Sequence, residues 1–136
     1  MSDELEVPVP EVEPPTGLRA GPSPRHGLGV FATRRFAAGE VLERAPVLVV
    51  PTADEEHIAG TALDGYCFAW DGGMALALGF GSLYNHSTTP NARYWTMPEE
   101  GLVEYVAHTD LEPGDEVCIN YNGEPTDDTP VWFELA

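Results

Sequence analysis

Short apolar runs, interrupted by glycine and proline, follow one another along the 136-residue chain, and this pattern predicts strands rather than long helices. Two turn sequences, residues 37–40 and 112–115, separate some of the runs, and the Pro113-Gly114 order is typical of a type II turn. There is no repeat and no βαβ rhythm, so the chain is expected to form one irregular, mostly β domain. Seven runs are predicted to be strands: Gly29–Ala32, Val41–Leu42, Val47–Val50, Tyr66–Trp70, Met74–Leu78, Leu102–Ala107 and Val117–Tyr121.

One helix is predicted after Pro51. The sequence Thr52-Ala53-Asp54-Glu55 has the spacing of a capping box, so Thr52 is expected to cap a short helix that runs to about Leu63. Gly60 weakens this helix, because glycine is a poor helix former.

The first sixteen residues differ in composition from the rest of the chain. They hold five acidic residues, four prolines and no basic residue, which predicts a disordered, proline-rich arm before a domain spanning residues 17–136. This arm has neither the basic nor the apolar region of a signal peptide, and no apolar run approaches the length of a membrane span. We therefore expect a cytoplasmic protein.

Charge narrows the choice of partners. The chain carries 23 acidic and 6 basic residues, for a net charge of −17, so neither nucleic acid nor an anionic membrane is an expected partner. The charge either solvates the surface or attracts a basic ligand. Five of the six arginines lie in residues 17–47, whereas residues 48–136 hold sixteen acidic residues, which predicts two faces of opposite sign or an internal seam.

Cys67 and Cys118 are too few for a disulfide framework and lack metal-ligand spacing, so both are interpreted as small core residues. No metal is expected.

Four segments contain candidate chemistry, and each also has a plain structural interpretation. Gly27-Leu28-Gly29 opens a strand and lets a backbone approach a ligand, or forms only a turn. Residues 79–91 contain Asn-His-Ser-Thr-Thr-Pro-Asn, either a polar turn or a binding segment. Residues 114–123 run from Gly-Asp-Glu to a tyrosine at a strand end, and residues 130–133 read Pro-Val-Trp-Phe.

In this order, the four segments resemble the SET-domain protein-lysine methyltransferases over residues 17–136. The Asn-His-Ser-x-x-Pro-Asn segment and the following Gly-Asp-Glu…Tyr segment are specific when they occur together. The glycine motif contributes only through its position before them in the chain. The resemblance implies a β-clip-like fold of small curved sheets with one or two short helices. It also implies a C-terminal pseudoknot that makes the Asn-His and Tyr segments neighbours.

The resemblance further implies a cofactor, S-adenosylmethionine, and a set of site residues. Backbone groups of the glycine motif and the Asn-His pair would bind the cofactor together with two aromatic residues. By position, these cofactor-binding residues are Gly27, Leu28, Gly29, Asn85, His86, Tyr121 and Trp132. Tyr121 would also be the active-site tyrosine, and Tyr94 would line the channel for the substrate lysine.

The sequence departs from the family pattern at several points. Asn120 replaces the usual aspartate before Tyr121, and residues 42–46 lack a tyrosine that many relatives place there, for which Tyr66 is the candidate substitute. Zinc-binding cysteine clusters are absent, and the insert between Val50 and Leu76 is short.

Three functional interpretations follow. We predict an S-adenosylmethionine-dependent methyltransferase that acts on a lysine in a basic protein segment, and a homodimer whose second copy completes the substrate groove. The alternatives are a catalytically silent peptide-binding module on the same fold and a purely structural β domain.

Overall fold

The computed structural model describes residues 9–70 and 72–122, and within them short strands dominate. Two 3-10 turns, Thr52–Asp54 and Asp64–Tyr66, accompany one short helix. In chain order the elements are β1 (Leu18–Pro22), β2 (Leu28–Ala32), β3 (Val41–Val50), α1 (Glu55–Ile58), β4 (Cys67–Trp70), β5 (Gly73–Ala77), β6 (Asn85–His86), β7 (Ala92–Met97), β8 (Leu102–Ala107) and β9 (Glu116–Ile119).

The strands form two sheets. The first has the order β1-β2-β9-β6 and the second the order β4-β5-β3-β8-β7. Neighbouring strands are antiparallel, except that β6 pairs in parallel with β9 in the described part of the chain. A β-bulge between Val41 and Glu43 changes the register of β3 against β8, and bulges increase the local twist of a sheet. The prediction of a mostly β fold built from small curved sheets is confirmed.

The core follows from the alternation of side chains along the strands. On β8, Val103, Tyr105 and Ala107 point inward and are almost fully buried, and Val30 and Val117 meet them from the other sheet. Burying one such aliphatic or aromatic side chain contributes about 1.5–3 kcal/mol, which helps the small sheets stay together.

Five of the predicted strands lie close to observed ones, but the prediction for residues 41–50 was wrong. Two separate strands, Val41–Leu42 and Val47–Val50, were predicted, whereas β3 is continuous through Glu43, Arg44 and Pro46. Pro46, which has no N–H group to donate, still accepts a hydrogen bond from Leu78 N at 2.9 Å. Strand β9 ends at Ile119, so Tyr121 follows the strand in a turn instead of ending it. Strands β1, β6 and β7 were not predicted.

The predicted helix from Thr52 to about Leu63 was also wrong. Thr52 begins a 3-10 turn whose N-cap is Pro51, and α1 then makes a single turn before Ala59 becomes extended. None of these residues is buried. Because short helices are marginal without tertiary packing, a capping sequence alone could not extend this one.

Both predicted turns are confirmed by hydrogen bonds across four residues, from Glu40 N to Ala37 O and from Asp115 N to Glu112 O, each 3.0 Å long. On the surface, Arg35 contacts Asp110 at 3.2 Å and Glu112 at 2.8 Å. The predicted arrangement of charge, as two faces or an internal seam, stays a prediction. Within the described residues, no helix has both the length and the apolarity that a membrane crossing needs.

The division between arm and domain at residue 17 stays a prediction, and residues 1–8 lie outside the described structure.

Candidate active site

The parallel pair of β6 and β9 brings together residues that are 33 positions apart in sequence. Asn85 is opposite Cys118, and His86 is opposite Ile119. Beyond the strand end, Tyr121 N donates a hydrogen bond of 3.0 Å to His86 Nδ1. The Asn-His segment and the tyrosine segment are therefore neighbours, as the sequence resemblance implied.

Asn91, at the end of the Asn-His segment, serves the backbone of β9. Its side-chain amide donates to Glu116 O and accepts from Cys118 N, both at 2.8 Å. Asn91 thus acts as an additional edge for β9, because an amide side chain can satisfy one donor and one acceptor of a strand at once.

Glu116 connects the two segments to the glycine motif. Its Oε2 atom accepts hydrogen bonds from Asn85 Nδ2 and from Ser23 Oγ, both at 2.8 Å. The same Asn85 amide donates to the backbone carbonyls of His26 at 3.1 Å and Leu28 at 3.2 Å. Asn85 is 6% exposed, so its amide fixes the course of the Gly-Leu-Gly backbone from within the protein.

The two glycines of the motif are required for different reasons. Gly27 has a φ of 49°, a left-handed conformation that is costly for other residues. A Cβ atom at Gly29 would collide with the Glu116 carboxylate. The second glycine is therefore needed for the approach of a carboxylate.

A first cavity, of about 440 Å³, lies beside the tyrosines and is called here the aromatic cavity. Tyr94 and Phe68 form part of its wall, with ring centroids 5.2 Å apart in an edge-to-face arrangement. It is lined by Gly65, Tyr66, Cys67, Phe68, Ala69, Gly81, Ser82, Tyr84, Tyr94, Trp95, Thr96, Ile119, Tyr121 and Asn122. Aromatic faces of this kind attract cationic groups.

A second cavity, of about 360 Å³, opens next to the glycine motif and is called here the Gly-Leu-Gly cavity. Its lining combines apolar and polar groups: His26, Leu28, Ala62, Gly65, Tyr66, Ser82, Leu83, Asn85 and Tyr121. Four residues, Gly65, Tyr66, Ser82 and Tyr121, line both cavities. The two cavities thus meet at a common wall that carries two phenol side chains.

Tyr121 is held in this wall by its backbone and by its hydroxyl group. The hydroxyl donates a hydrogen bond of 2.6 Å to Tyr84 O, and the Tyr94 hydroxyl donates to Tyr121 O at 3.3 Å. Burial raises the pKa of Tyr121, and the neighbouring Cys118 adds to the effect. Burial also raises the pKa of Tyr94. Both phenols therefore stay protonated at neutral pH and can donate hydrogen bonds.

His86 carries no charge at neutral pH. Burial lowers its pKa, and the positive charge of Arg25 lowers it further. Its Nδ1 atom consequently remains available as the acceptor for Tyr121 N.

The structure also identifies residues that the sequence interpretation did not select. Glu116 belongs to the Gly-Asp-Glu motif, and Ser82 to the polar segment at residues 79–91, but the sequence pattern indicates no role for either side chain. Tyr66, the candidate substitute for the missing tyrosine, lines both cavities. Within residues 42–46, where many relatives place that tyrosine, Arg44 lies on the sheet surface and contacts Glu104 at 2.8 Å. Trp132 lies outside the described residues, so the structure says nothing about its predicted contact with a cofactor.

Comparisons with known proteins agree with this arrangement. The family model described as the SET domain matches residues 27–122. A curated protein of Schizosaccharomyces pombe, named histone-lysine N-methyltransferase, H3 lysine-37 specific, is 32% identical over 129 residues, which cover 93% of this chain and 82% of that protein.

Solved structures give the same result. A crystal structure of a Plasmodium falciparum protein assigned as a histone methyltransferase matches with a TM-score of 0.68 and 25% identity, over 81% of this chain and 95% of that one. A chain of the Chaetomium thermophilum Polycomb Repressive Complex 2, in a humanized mutant bound to an inhibitor, matches with a TM-score of 0.58 and 21% identity. That match covers 76% of this chain and 14% of the other, and it concerns the fold alone.

The matched family segment contains the glycine motif, the Asn-His pair and Tyr121, which are the residues that the two cavities and the β6–β9 pair bring together. The chain belongs to the SET domain family of protein lysine methyltransferases.

Proposed function

We propose that the protein transfers a methyl group from S-adenosylmethionine to a lysine side chain of a basic protein segment. The cofactor would occupy the Gly-Leu-Gly cavity and the lysine would enter the aromatic cavity. The observation that carries this proposal is the common wall, where Tyr121 and Tyr66 line both cavities. Because the same residues line both cavities, a cofactor in one cavity and a lysine in the other would adjoin at Tyr121 and Tyr66. The two reactants would then be held in a fixed relative orientation.

The residues of the Gly-Leu-Gly cavity fit the cofactor. Its volume falls within the usual range of ligand sites, about 300–1,000 Å³. Leu28 is 55% exposed and, with Leu83 and Ala62, offers apolar surface to a nucleoside. Asn85 and Ser82 offer polar groups to the amino-acid end. S-adenosylmethionine, when bound, supplies an electrophilic methyl group on a positively charged sulfur.

The chain's own residues would orient the amine and exclude water. A lysine ammonium has a pKa of about 10.4, and an aromatic, desolvated cavity favours the loss of its proton. Tyr94 and Phe68 provide that environment. The Tyr121 hydroxyl and the Tyr84 carbonyl, already joined by a hydrogen bond, lie at the wall where the amine would face the methyl group.

Tyr121 would act in this scheme through its hydroxyl oxygen, which can accept a hydrogen bond from the amine N–H while its own proton is donated to Tyr84 O, and not as a general base. Because burial raises its pKa, the phenolate form is disfavoured at neutral pH. The proton of the substrate lysine would therefore leave to solvent before transfer. We propose Tyr121 and Tyr94 as catalytic residues in this sense.

The charge of the chain supports a basic substrate. Residues 48–136 carry a net charge of −15, and Asp64 is directly next to Gly65 in the common wall. The S. pombe relative is named for a histone lysine, and a histone-like tail rich in lysine and arginine fits this field. Neither nucleic acid nor a membrane is proposed as a partner.

Calorimetry with S-adenosylmethionine and mass spectrometry of a basic peptide pool test the proposal together. We expect cofactor binding and lysine methylation in the presence of the parent protein. Cofactor binding without modification of any peptide would favour the silent peptide-binding module. Absence of cofactor binding would contradict the assignment of the Gly-Leu-Gly cavity.

Trp132 is proposed to stack on the adenine of the cofactor. Substitution Trp132→Ala should then weaken cofactor binding by about 1–3 kcal/mol, the range for base–aromatic stacking. Unchanged affinity in a folded variant would remove Trp132 from the site.

A homodimer remains part of the proposal. The outer face of the five-stranded sheet exposes Leu48, Trp95 and Val41 by 59%, 44% and 43%. On this face Glu104 is neutralised by Arg44, so two copies of a strongly acidic chain could approach here without a large repulsion. Trp95 also lines the aromatic cavity, and a second copy on this face would reach the substrate entrance.

Light scattering at physiological salt, with Leu48→Glu as the disrupting variant, tests this interface. A dimer in the parent and a monomer in the variant are expected, whereas a monomeric parent would end the proposal. Cytoplasmic localisation also stays a proposal, which imaging of a fluorescent fusion would check.

A further inference from the structure

A buried carboxylate lies beneath the common wall of the two cavities. Glu43, on β3, is 3% exposed, and both of its oxygen atoms accept hydrogen bonds. Phe80 N donates to Oε2 at 2.9 Å, and the Tyr84 hydroxyl donates to Oε1 at 2.7 Å. The carboxylate therefore connects two points of one segment, residues 79–84, which is called here the wall loop.

The wall loop is packed so closely on the Glu43 carboxylate that few other backbone conformations are open to it. Gly79 has a φ of 61°, and a Cβ atom there would lie 2.5 Å from Glu43 Oε2. A Cβ atom at Gly81 would lie 2.6 Å from Ala77 Cβ. The Tyr105 hydroxyl, whose ring stacks on that of Tyr84, donates to Gly81 O at 2.7 Å.

The same loop provides part of the site. Ser82 lines both cavities, and the Tyr84 carbonyl accepts the hydrogen bond of the Tyr121 hydroxyl at 2.6 Å. Glu43 thus contacts the residue that positions Tyr121, although Glu43 itself does not line either cavity.

A buried carboxylate at this position is energetically unfavourable if its only role is to stabilise the fold. Burial raises the pKa of Glu43 despite the two hydrogen bonds, which means that the folded protein disfavours the charged form. Replacing buried charged groups by apolar residues of similar size is often neutral or stabilising. An acceptor with two oxygens, however, can hold Phe80 and Tyr84 at a fixed distance, which an apolar side chain cannot do.

We propose that Glu43 is a positioning residue for methyl transfer, which acts by clamping Phe80 and Tyr84 and so holding the Tyr84 carbonyl against the Tyr121 hydroxyl. The inference rests on the proposed function, since it gives the wall loop a catalytic purpose. The clamp itself is a structural relationship that is measurable without activity.

The test compares Glu43→Met, which has a similar length but no acceptor, with the conservative Glu43→Gln. A glutamine can accept from Phe80 N and donate to the Tyr84 hydroxyl, so it can keep both contacts. Leu111→Ala serves as the stability control, because Leu111 is fully buried but does not line either cavity. Readouts are kcat, the KM for cofactor and for peptide, and the ¹³Cζ resonance of Tyr121 in tyrosine-labelled protein.

We expect Glu43→Met to lower kcat by about 100-fold, the effect of a misplacement of about 1 Å, with the KM for cofactor little changed. It should also shift the Tyr121 resonance, whereas Glu43→Gln should retain most of kcat and a parent-like resonance. A folded Glu43→Met variant with the kcat and resonance of Leu111→Ala would overturn the proposal.

If Glu43→Met does not fold, Tyr84→Phe removes only one of the two contacts. A parent-like kcat and Tyr121 resonance in that variant would also overturn the proposal. If the parent methylates no peptide, the proposed function fails, and the resonance comparison still decides whether Glu43 positions Tyr121.

Discussion

The hydroxyl of Tyr121 lies 2.6 Å from the backbone carbonyl of Tyr84, the residue directly before the Asn-His pair. These two residues are 37 positions apart in sequence, and the parallel pairing of β6 with β9 brings them together. A phenol donor and a carbonyl acceptor are therefore fixed at the wall between the two cavities.

Tyr121→Phe removes the hydroxyl and keeps the ring. Because the Tyr121 backbone is held by His86 Nδ1, we expect the fold and most of the cofactor affinity to remain. Turnover should fall by about 100-fold, since the amine would lose its orienting group. Mass spectrometry of a basic peptide pool measures the rate, and methylation at the parent rate would contradict the assigned role.

Tyr94→Phe is the matched variant in the aromatic cavity. Its hydroxyl donates to Tyr121 O at 3.3 Å, a longer bond than that of Tyr121 to Tyr84. We expect activity to survive, with a shift toward more highly methylated product, because loss of the hydroxyl leaves more room for methyl groups. A product distribution identical to that of the parent would remove Tyr94 from the determinants of methylation degree.

Gly29→Ala should abolish or strongly weaken cofactor binding, because its Cβ would displace the Glu116 carboxylate that holds Asn85. Gly21→Ala is the control on the facing strand. Gly21 pairs with Gly29, and its nearest obstacle is the flexible end of the Arg19 side chain. Calorimetry should show parent-like binding for Gly21→Ala only, and equal affinities in the two variants would refute the role of Glu116.

Stability should depend on pH through His86. Its pKa in the folded protein is lowered by burial from the ordinary value of 6.5, so the unfolded chain takes up the proton first as pH falls. The contribution of His86 to stability is therefore full above pH 6.5 and is lost as pH falls through the lower, folded-state pKa. His86→Asn keeps an acceptor for Tyr121 N and does not titrate.

Denaturant unfolding of both proteins across the acid range measures the difference. The free energy of unfolding of the parent should fall relative to that of His86→Asn as pH decreases. A difference that is independent of pH would mean that His86 is not kept neutral by its surroundings.

Turnover on a basic peptide should decrease as ionic strength rises. The field of the acidic residues is screened over a Debye length of about 8 Å at 0.15 M salt. A neutral peptide containing one lysine is the control, and its turnover should change less. Equal salt dependence for the two peptides would argue against electrostatic attraction of the substrate.

The sequence determined those features that depend on local pattern. A short apolar run specified β8, and the turn sequence at residues 112–115 specified the approach to β9. The strand and the turn could be predicted because hydrophobic patterning and turn chemistry are properties of neighbouring residues. The family came instead from the resemblance of the motif order, which also implied that Asn85 and Tyr121 lie close together.

Only the tertiary structure decided the remainder. Two residues of β6 have no recognisable strand pattern, and they form a strand because β9 offers a free edge. Glu43 lies between the two strands predicted at residues 41–42 and 47–50, yet it is buried in β3, where Phe80 and Tyr84 satisfy its oxygens. Glu116 closes on Gly29 from the far end of the chain. Such partners are distant in sequence, so the hydrogen bonds that make a buried polar residue favourable exist only after the chain has folded.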